Sequence, residues 1–258
     1  MKNKSILLIT LFTTVILILL LGCDEKVKME LSEDVYSNEQ MTTRLSENPK
    51  WDYPVKPGTE KWKSLKTHSE KVLLCQIPDS VLKKCSTQTL LSLCLNYPLN
   101  FDFYAYSSLK EGVVKVSKEF NGLIELFNRD DNFYVLLKYI NLALIQNDIN
   151  SKIYTEEKGE VIYQYSLIEC LLSFDECLNN STKEELLLLK EEMAKILNYK
   201  ISNPELFSVH SKGASLLLIA NSLKKITPEL KFSEETEVFI NTGILNNYDV
   251  YTELLSHL

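Results

Sequence analysis

From Thr59 onward, apolar residues recur three and four apart, and the gaps between those runs carry residues that start and stop helices. Ser86 precedes Leu90, Leu91, Leu93, Cys94 and Leu95 and reads as an N-cap. Its hydroxyl can accept a backbone N–H that the first helical turn leaves unpaired. Pro98 ends that run by disfavouring helical geometry at Tyr97. A second helix starts at Ser107 or Ser108 and stops at the turn dipeptide Asn121-Gly122. Thr59 caps a helix carrying Trp62, Leu65, Val72 and Leu73, and Pro78 opens a short one through Leu82. Thr182 with Glu185 forms a capping box before E-L-L-L-L-K-E-E-M-A-K-I-L. The spacing predicts helices over about 87–96, 108–120, 122–128, 131–146, 156–172, 183–199, 204–226, 234–241 and 247–257. Asn203-Pro204-Glu205 opens the 204–226 run and Thr227-Pro228 closes it.

One stretch departs from that period. Leu99, Phe101, Phe103 and Ala105 alternate with Asn100, Asp102, Tyr104 and Tyr106, which predicts a short extended crossing. No repeat of 30 to 45 residues appears. With only 7 glycines in 258 residues, and no β-branched runs between Gly-rich turns, an all-β fold is disfavoured. The expected class is all-α, an irregular helical bundle or an α-solenoid-like array.

The N-terminus has a different pattern. Lys2 and Lys4 precede an almost unbroken apolar run from Ile6 to Leu21, which ends in Leu20-Leu21-Gly22-Cys23 and turns at once to Asp24-Glu25-Lys26. This resembles the signal and lipobox of bacterial lipoproteins: small Gly22 admits the peptidase, and the Cys23 thiol receives diacylglycerol. An uncleaved membrane anchor is the alternative, since so short a run lies near the lower limit for a spanning helix. On the lipoprotein reading, residues 1–22 are signal peptide, 23–50 a lipid-anchored flexible tether and 51–258 the helical domain. Residues 24–50 are polar and acidic with scattered single apolars, as a tether requires. Trp51 to Gly58, with two prolines, reads as an extended strap anchored by Trp51 and Tyr53. Asp24 points to the inner membrane under one sorting rule, whereas acidic residues beside the cysteine resemble a surface-export signal under another. The outer membrane or cell surface is favoured.

Composition narrows the chemistry. Charged residues make up 24% and the formal charge is −7, with no basic cluster, so no nucleic-acid partner is expected. Without Lys2 and Lys4, 26 basic side chains face 35 acidic ones, a balance of −9. Beyond Cys23 the cysteines are Cys75, Cys85, Cys94, Cys170 and Cys177. Five is odd, so at least one is free or pairs between chains, and buried thiols account for most of them. Cys170 and Cys177, seven apart, share one face if their helix is unbroken. No C-x-x-C occurs and His68, His210 and His257 stand apart, so neither a metal nor a cofactor is expected. A Cys94–His210 nucleophile pair has no local mark, and no phosphate loop, G-x-S-x-G or H-E-x-x-H is present. Acidic pairs such as Asp130-Asp131 and Glu191-Glu192 read as caps and solvated faces.

Two candidate constellations remain. Tyr97, Phe101, Phe103, Tyr104 and Tyr106 read as a core plug between helices, or else as a stacking platform for a sugar or peptide. Asn121, Glu125 and Arg129, four apart, stack on one helical ridge with Glu125 N-terminal to Arg129, the favourable order for an ion pair. The ridge is either a solvated stripe or covered, with Arg129 held by a backbone carbonyl or by Asp102 of the aromatic segment. Asp79-Ser80-Val81 resembles a three-residue O-glycosylation signal of Bacteroidota exported proteins.

The blocks Asp52-Tyr-Pro-Val-Lys-Pro-Gly-Thr59 with Trp62, Cys75-Gln-Ile-Pro78, Ser86-Thr87, Cys94-Leu-Asn-Tyr-Pro-Leu99 and Phe120-Asn-Gly-Leu123 with Arg129 cover about 80 residues. In order and spacing they resemble an uncharacterised family of Bacteroidota exported proteins and lipoproteins. The resemblance implies a lipid-anchored envelope protein and supplies no catalytic residue. The leading expectation is a structural or interaction module, held to the membrane by acylated Cys23 and presenting a surface to a protein or glycan. An envelope hydrolase with a site assembled from dispersed residues is the alternative.

Overall fold

The computed structural model describes residues 51–258. Cys23, the signal-like segment and the predicted tether lie outside the described residues. Within them are fourteen α-helices, one 3-10 helix and no strand, so the expected all-α class holds. After a strap that buries Tyr53 and Val55, the chain runs through α1 (Glu60–Ser64), α2 (His68–Leu74), α3 (Asp79–Leu82), α4 (Thr87–Leu95) and the 3-10 helix (Asn100–Tyr104). α5 (Leu109–Val116), α6 (Asn121–Phe127), α7 (Asn132–Leu137) and α8 (Leu142–Asn150) complete the first half. The second half holds α9 (Thr155–Leu172), α10 (Asp175–Leu178), α11 (Lys183–Ser202), α12 (Val209–Ile226), α13 (Glu234–Thr242) and α14 (Tyr248–Ser256).

Hydrophobic patterning places the long helices. From Val161 to Leu172 every residue of α9 except Tyr163 is buried, and a helix apolar on all sides must be packed on all sides. α12 is alike from Gly213 to Ala220 and lies between α9 and α11. α11 instead buries a single stripe, Leu186, Leu189, Met193, Ile196 and Leu197, at surface-helix spacing. α5, α7 and α8 pack on α9, and α13 and α14 pack on α12. α9 is therefore the partition between the many short helices and the few long ones. Among the described residues no helix is long and apolar enough to cross a membrane.

Several boundaries differ from the sequence expectation, each for a local reason. Residues 99–106 are not an extended crossing. Asn100–Tyr104 forms a 3-10 helix, with hydrogen bonds from Asn100 N to Tyr97 O and from Asp102 N to Leu99 O, both 2.9 Å. Tyr97 and Phe103 go inward while Phe101 is 83% exposed, so the apparent alternation is a different period. α5 stops at Val116, and Asn121-Gly122 opens α6 rather than ending its predecessor. The expected 131–146 helix divides at Asn141, whose side chain caps α8. Thr67 and Glu70 form a capping box that starts α2 anew after α1. Pro204 lies in a turn, and Ser208 caps α12 five residues later than expected. α9 ends at Leu172, so Cys170 and Cys177 sit on different helices, α9 and the unpredicted α10. All five described cysteines are free, four buried and Cys85 half-buried.

Candidate functional site

Asn121, Glu125 and Arg129 form a covered ridge, and the cover is the chain from Gln76 to Leu82. Asn121 acts as a backbone mimic: its Oδ1 accepts the Ile77 N–H at 3.0 Å and its Nδ2 donates to the Ile77 carbonyl at 2.8 Å. Gln76 returns the contact, its Oε1 accepting the Asn121 N–H at 3.1 Å and its Nε2 donating to Val72 O and Glu119 O. Two amide side chains thus pin the residues after α2 to the first turn of α6. Arg129 donates from Nη2 to the carbonyl of Leu82, one of the orphan acceptors at the C-terminus of α3. Its Nε lies 2.8 Å from Glu125 Oε1, but that N–H is not aimed at the oxygen, so the contact is an ion pair without a directed hydrogen bond. With side chains 23% and 35% exposed, the pair is partly buried. Arg129 is therefore held by the Leu82 carbonyl of α3, and not by the aromatic segment 97–106 expected to cover it. Asp102 lies instead 3.4 Å from His68 Nε2, with Glu119 3.9 Å from the same nitrogen. Burial raises the Asp102 carboxyl above the usual range, and His68 opposes that.

The aromatic set divides. Tyr97 stacks on Phe120 at 4.1 Å between centroids and meets Phe103 and Tyr53 edge-on, which is core packing. The Tyr53 hydroxyl donates to Leu93 O at 2.9 Å and anchors the strap. Tyr104 is half-buried between Tyr163 and the edge of His210. Tyr106 is 38% exposed. Ser80 of the Asp-Ser-Val triplet is exposed on α3. His210 thus packs on an aromatic ring, whereas Cys94 is fully buried in α4.

Sequence reasoning missed the most polar point of the core. Glu169 of α9 and Lys200 of α11 are 0% and 1% exposed, with Lys200 Nζ at 2.8 and 2.7 Å from the two carboxylate oxygens. Lys200 also donates to the Ser211 carbonyl at 3.1 Å, and Ser215 Oγ donates to Glu169 Oε2 at 2.6 Å. Ser166 links the same spot to Ser211 at 2.7 Å, and the Phe207 ring lies 5.8 Å from the ammonium. Burial lowers the Lys200 pKa and Glu169 opposes that shift. The only mark in the sequence is a lone acid inside Y-S-L-I-E-C-L-L. Its cationic partner, 31 residues on, resembles any last-turn lysine. The pair ties the three longest helices together and lines neither surface cleft described next.

Among the described residues, two clefts lie where the start of α5 meets the second half. One, of about 200 Å³, lies between the starts of α5 and α12 and the segment after α13. The other, of about 600 Å³, carries Lys110, Lys224 and Lys225 beside Asp175 and Glu176. Among the described residues no three His, Cys, Asp or Glu side chains gather as metal ligands. No family model matches the chain, and neither the curated proteins nor the solved structures provide a match.

Proposed function

We propose that this protein is a lipid-anchored component of a bacterial cell envelope, working as a non-enzymatic helical module that presents a surface to another protein or a glycan. The observation that carries the reading is Leu20-Leu21-Gly22-Cys23, closing an apolar run behind Lys2 and Lys4 and followed at once by Asp24-Glu25-Lys26. Acyl chains on Cys23 would supply stable attachment, which takes more than one chain. The resemblance of the blocks between Asp52 and Arg129 to Bacteroidota exported proteins supports the same address. The chemistry of the described residues supports a non-catalytic role. Burial pushes the Cys75 thiol up to about 11 and raises Cys94, Cys170 and Cys177 further still. Thiols held protonated in that way are poor nucleophiles.

Cys23→Ala tests the anchor. The variant should lose labelling by a palmitate analogue and pass from the membrane fraction to the soluble one. A variant that still labels and still sediments with membranes refutes the anchor. The interaction role is read separately, with a photocrosslinker at exposed Tyr106 in intact cells and one at exposed Lys231 as control. A discrete adduct from position 106 alone supports it. Adducts from both positions, or from neither, count against it.

A further inference from the structure

Among the described residues, α1 and α2 are the two helices that bury no residue, whereas every other helix buries at least one. They carry apolar side chains all the same. Trp62, Leu65, Val72 and Leu74 are half-buried, and Leu73 is 72% exposed. Lys71 Nζ lies 5.3 Å from the Trp62 ring centroid and joins the two helices. His68, the first residue of α2, reaches Asp102, and the residue before Asp102 is the exposed Phe101. Two large apolar side chains thus stand in solvent on or beside a helix that has no buried residue of its own.

The charge of this part opposes that of the rest. Residues 51–84 hold seven lysines against four acids, a balance of +3. Residues 85–258 hold 15 basic side chains against 24 acidic ones, a balance of −9. Three of the four acids in the basic part are answered from within it. Asp52 pairs with Lys56 at 2.5 Å, Glu60 pairs with Lys63 at 2.8 Å, and Glu70 accepts the N–H groups of Lys66 and Thr67. The fourth is Asp79, at the start of α3. Asp102 and Glu119, which border α2, face His68. Lys61, Lys66, Lys83 and Lys84 are exposed, and their ammonium groups pair with no carboxylate among the described residues.

We propose that α1 and α2, with Leu73 and Phe101, form a face that lies against an anionic lipid bilayer. The inference rests on the lipid-anchor reading, because Cys23 is what would bring this face to a membrane. Residues 24–50 span at most roughly 90–100 Å when extended, so the anchor permits contact without imposing it. Contact is favoured by the order of charges along the chain. The basic helices come first after the anchor, and an anionic surface attracts them while it repels the acidic body behind. Each lysine within a Debye length of such a surface is worth about fivefold in affinity. Leu73 and Phe101 supply apolar side chains to the headgroup boundary, as interfacial helices do, and lysine stems reach past them to keep their ammonium groups among the headgroups.

The test places the full-length acylated chain in phosphatidylcholine vesicles with and without about one-third phosphatidylglycerol, and reads amide hydrogen exchange by mass spectrometry. Flotation reports the anchor separately: the chain should float with both kinds of vesicle, since acyl insertion does not need lipid charge. A chain that floats with neither refutes the anchor, and exchange is then measured on that chain with the same vesicles in excess. Amides of residues 60–75 should exchange at least about fivefold more slowly on the anionic vesicles, with α14 unchanged, and about 0.5 M salt should abolish the difference. Lys61→Glu combined with Lys66→Glu should remove the protection at an unchanged thermal midpoint. Leu73→Ser combined with Phe101→Ser should reduce it about twofold or more. Equal exchange on the two kinds of vesicle, protection that persists in the lysine variant, or slowing shared by α14 overturns the proposal.

Discussion

A lysine with 1% of its side chain exposed is tolerable only because every donor direction has been answered, by two carboxylate oxygens and a carbonyl. Lys200→Met should therefore cost about 3–5 kcal/mol in urea unfolding, most of it from stranding the Glu169 carboxylate. Glu169→Leu combined with Lys200→Met should be more stable than either single variant, because an apolar pair leaves no buried charge. A double variant worse than both singles would refute that account. Arg129 is a milder case. Its pair with Glu125 is partly exposed, and the Leu82 carbonyl it holds ends a four-residue helix. Arg129→Ala should cost about 1.5–3 kcal/mol, the range for a hydrogen bond to a charged group, and not the loss expected of a fully buried pair. Glu70 carries a pH signature. The backbone N–H groups of Thr67 and Lys66 hold its carboxyl below its ordinary value of 4.5. The folded value is depressed, so the stabilisation is complete above the ordinary value and is lost as pH falls through the folded one. Glu70→Gln should lower stability near neutrality and flatten the acid limb, with the two profiles converging as pH falls well below about 4.5.

Between helices, close approach decides which glycines are replaceable. α5 crosses the 3-10 helix so closely that Gly112 leaves no room for a methyl group beside the Phe103 carbonyl. Gly112→Ala should destabilise by about 2–3 kcal/mol, an overpacking cost that forces the two elements apart. Gly159, in α9, has open space where a Cβ would go, so Gly159→Ala should stabilise by about 0.5–1 kcal/mol through helix propensity and chain entropy. Thermal midpoints moving in opposite directions for the two variants check both claims together. The capping boxes at Thr67 and Thr182 show the converse, in which one hydroxyl and one carboxylate define a helix start. Thr182→Ala should cost about 1 kcal/mol.

Over the whole molecule, α9 has packing partners among both the short helices and the long ones, and its buried half leaves no face for solvent. The strap is part of the same body: Tyr53 is buried, hydrogen-bonded to Leu93 O and edge-on to Trp51 and Tyr97. Tyr53→Ala should cost about 3–5 kcal/mol, as large aromatic truncations in a core do. Deleting residues 24–50, polar and acidic in composition, should shift stability by no more than about 0.5 kcal/mol. A larger loss in urea unfolding would show that this stretch packs on the helical body.

What the sequence determined by itself was local. Caps at Ser86 and Thr182, the largely apolar run of α9 and the apolar stripe of α11 depend on residues within a few turns, so class and most helix positions were legible from the sequence alone. Asn121-Gly122 misled, because an Asn-Gly dipeptide favours a turn until a distant Ile77 occupies the asparagine side chain from 44 residues away. The 3-10 helix at Asn100–Tyr104 was hidden likewise, since its inward face is set by Tyr97 and Phe103 meeting partners brought in by other helices. The Glu169–Lys200 pair, the Leu82 cover over Arg129 and the clefts at the start of α5 lie wholly in the tertiary structure. Each joins residues far apart in the chain, and no pattern within a single element records which face another element will present to it.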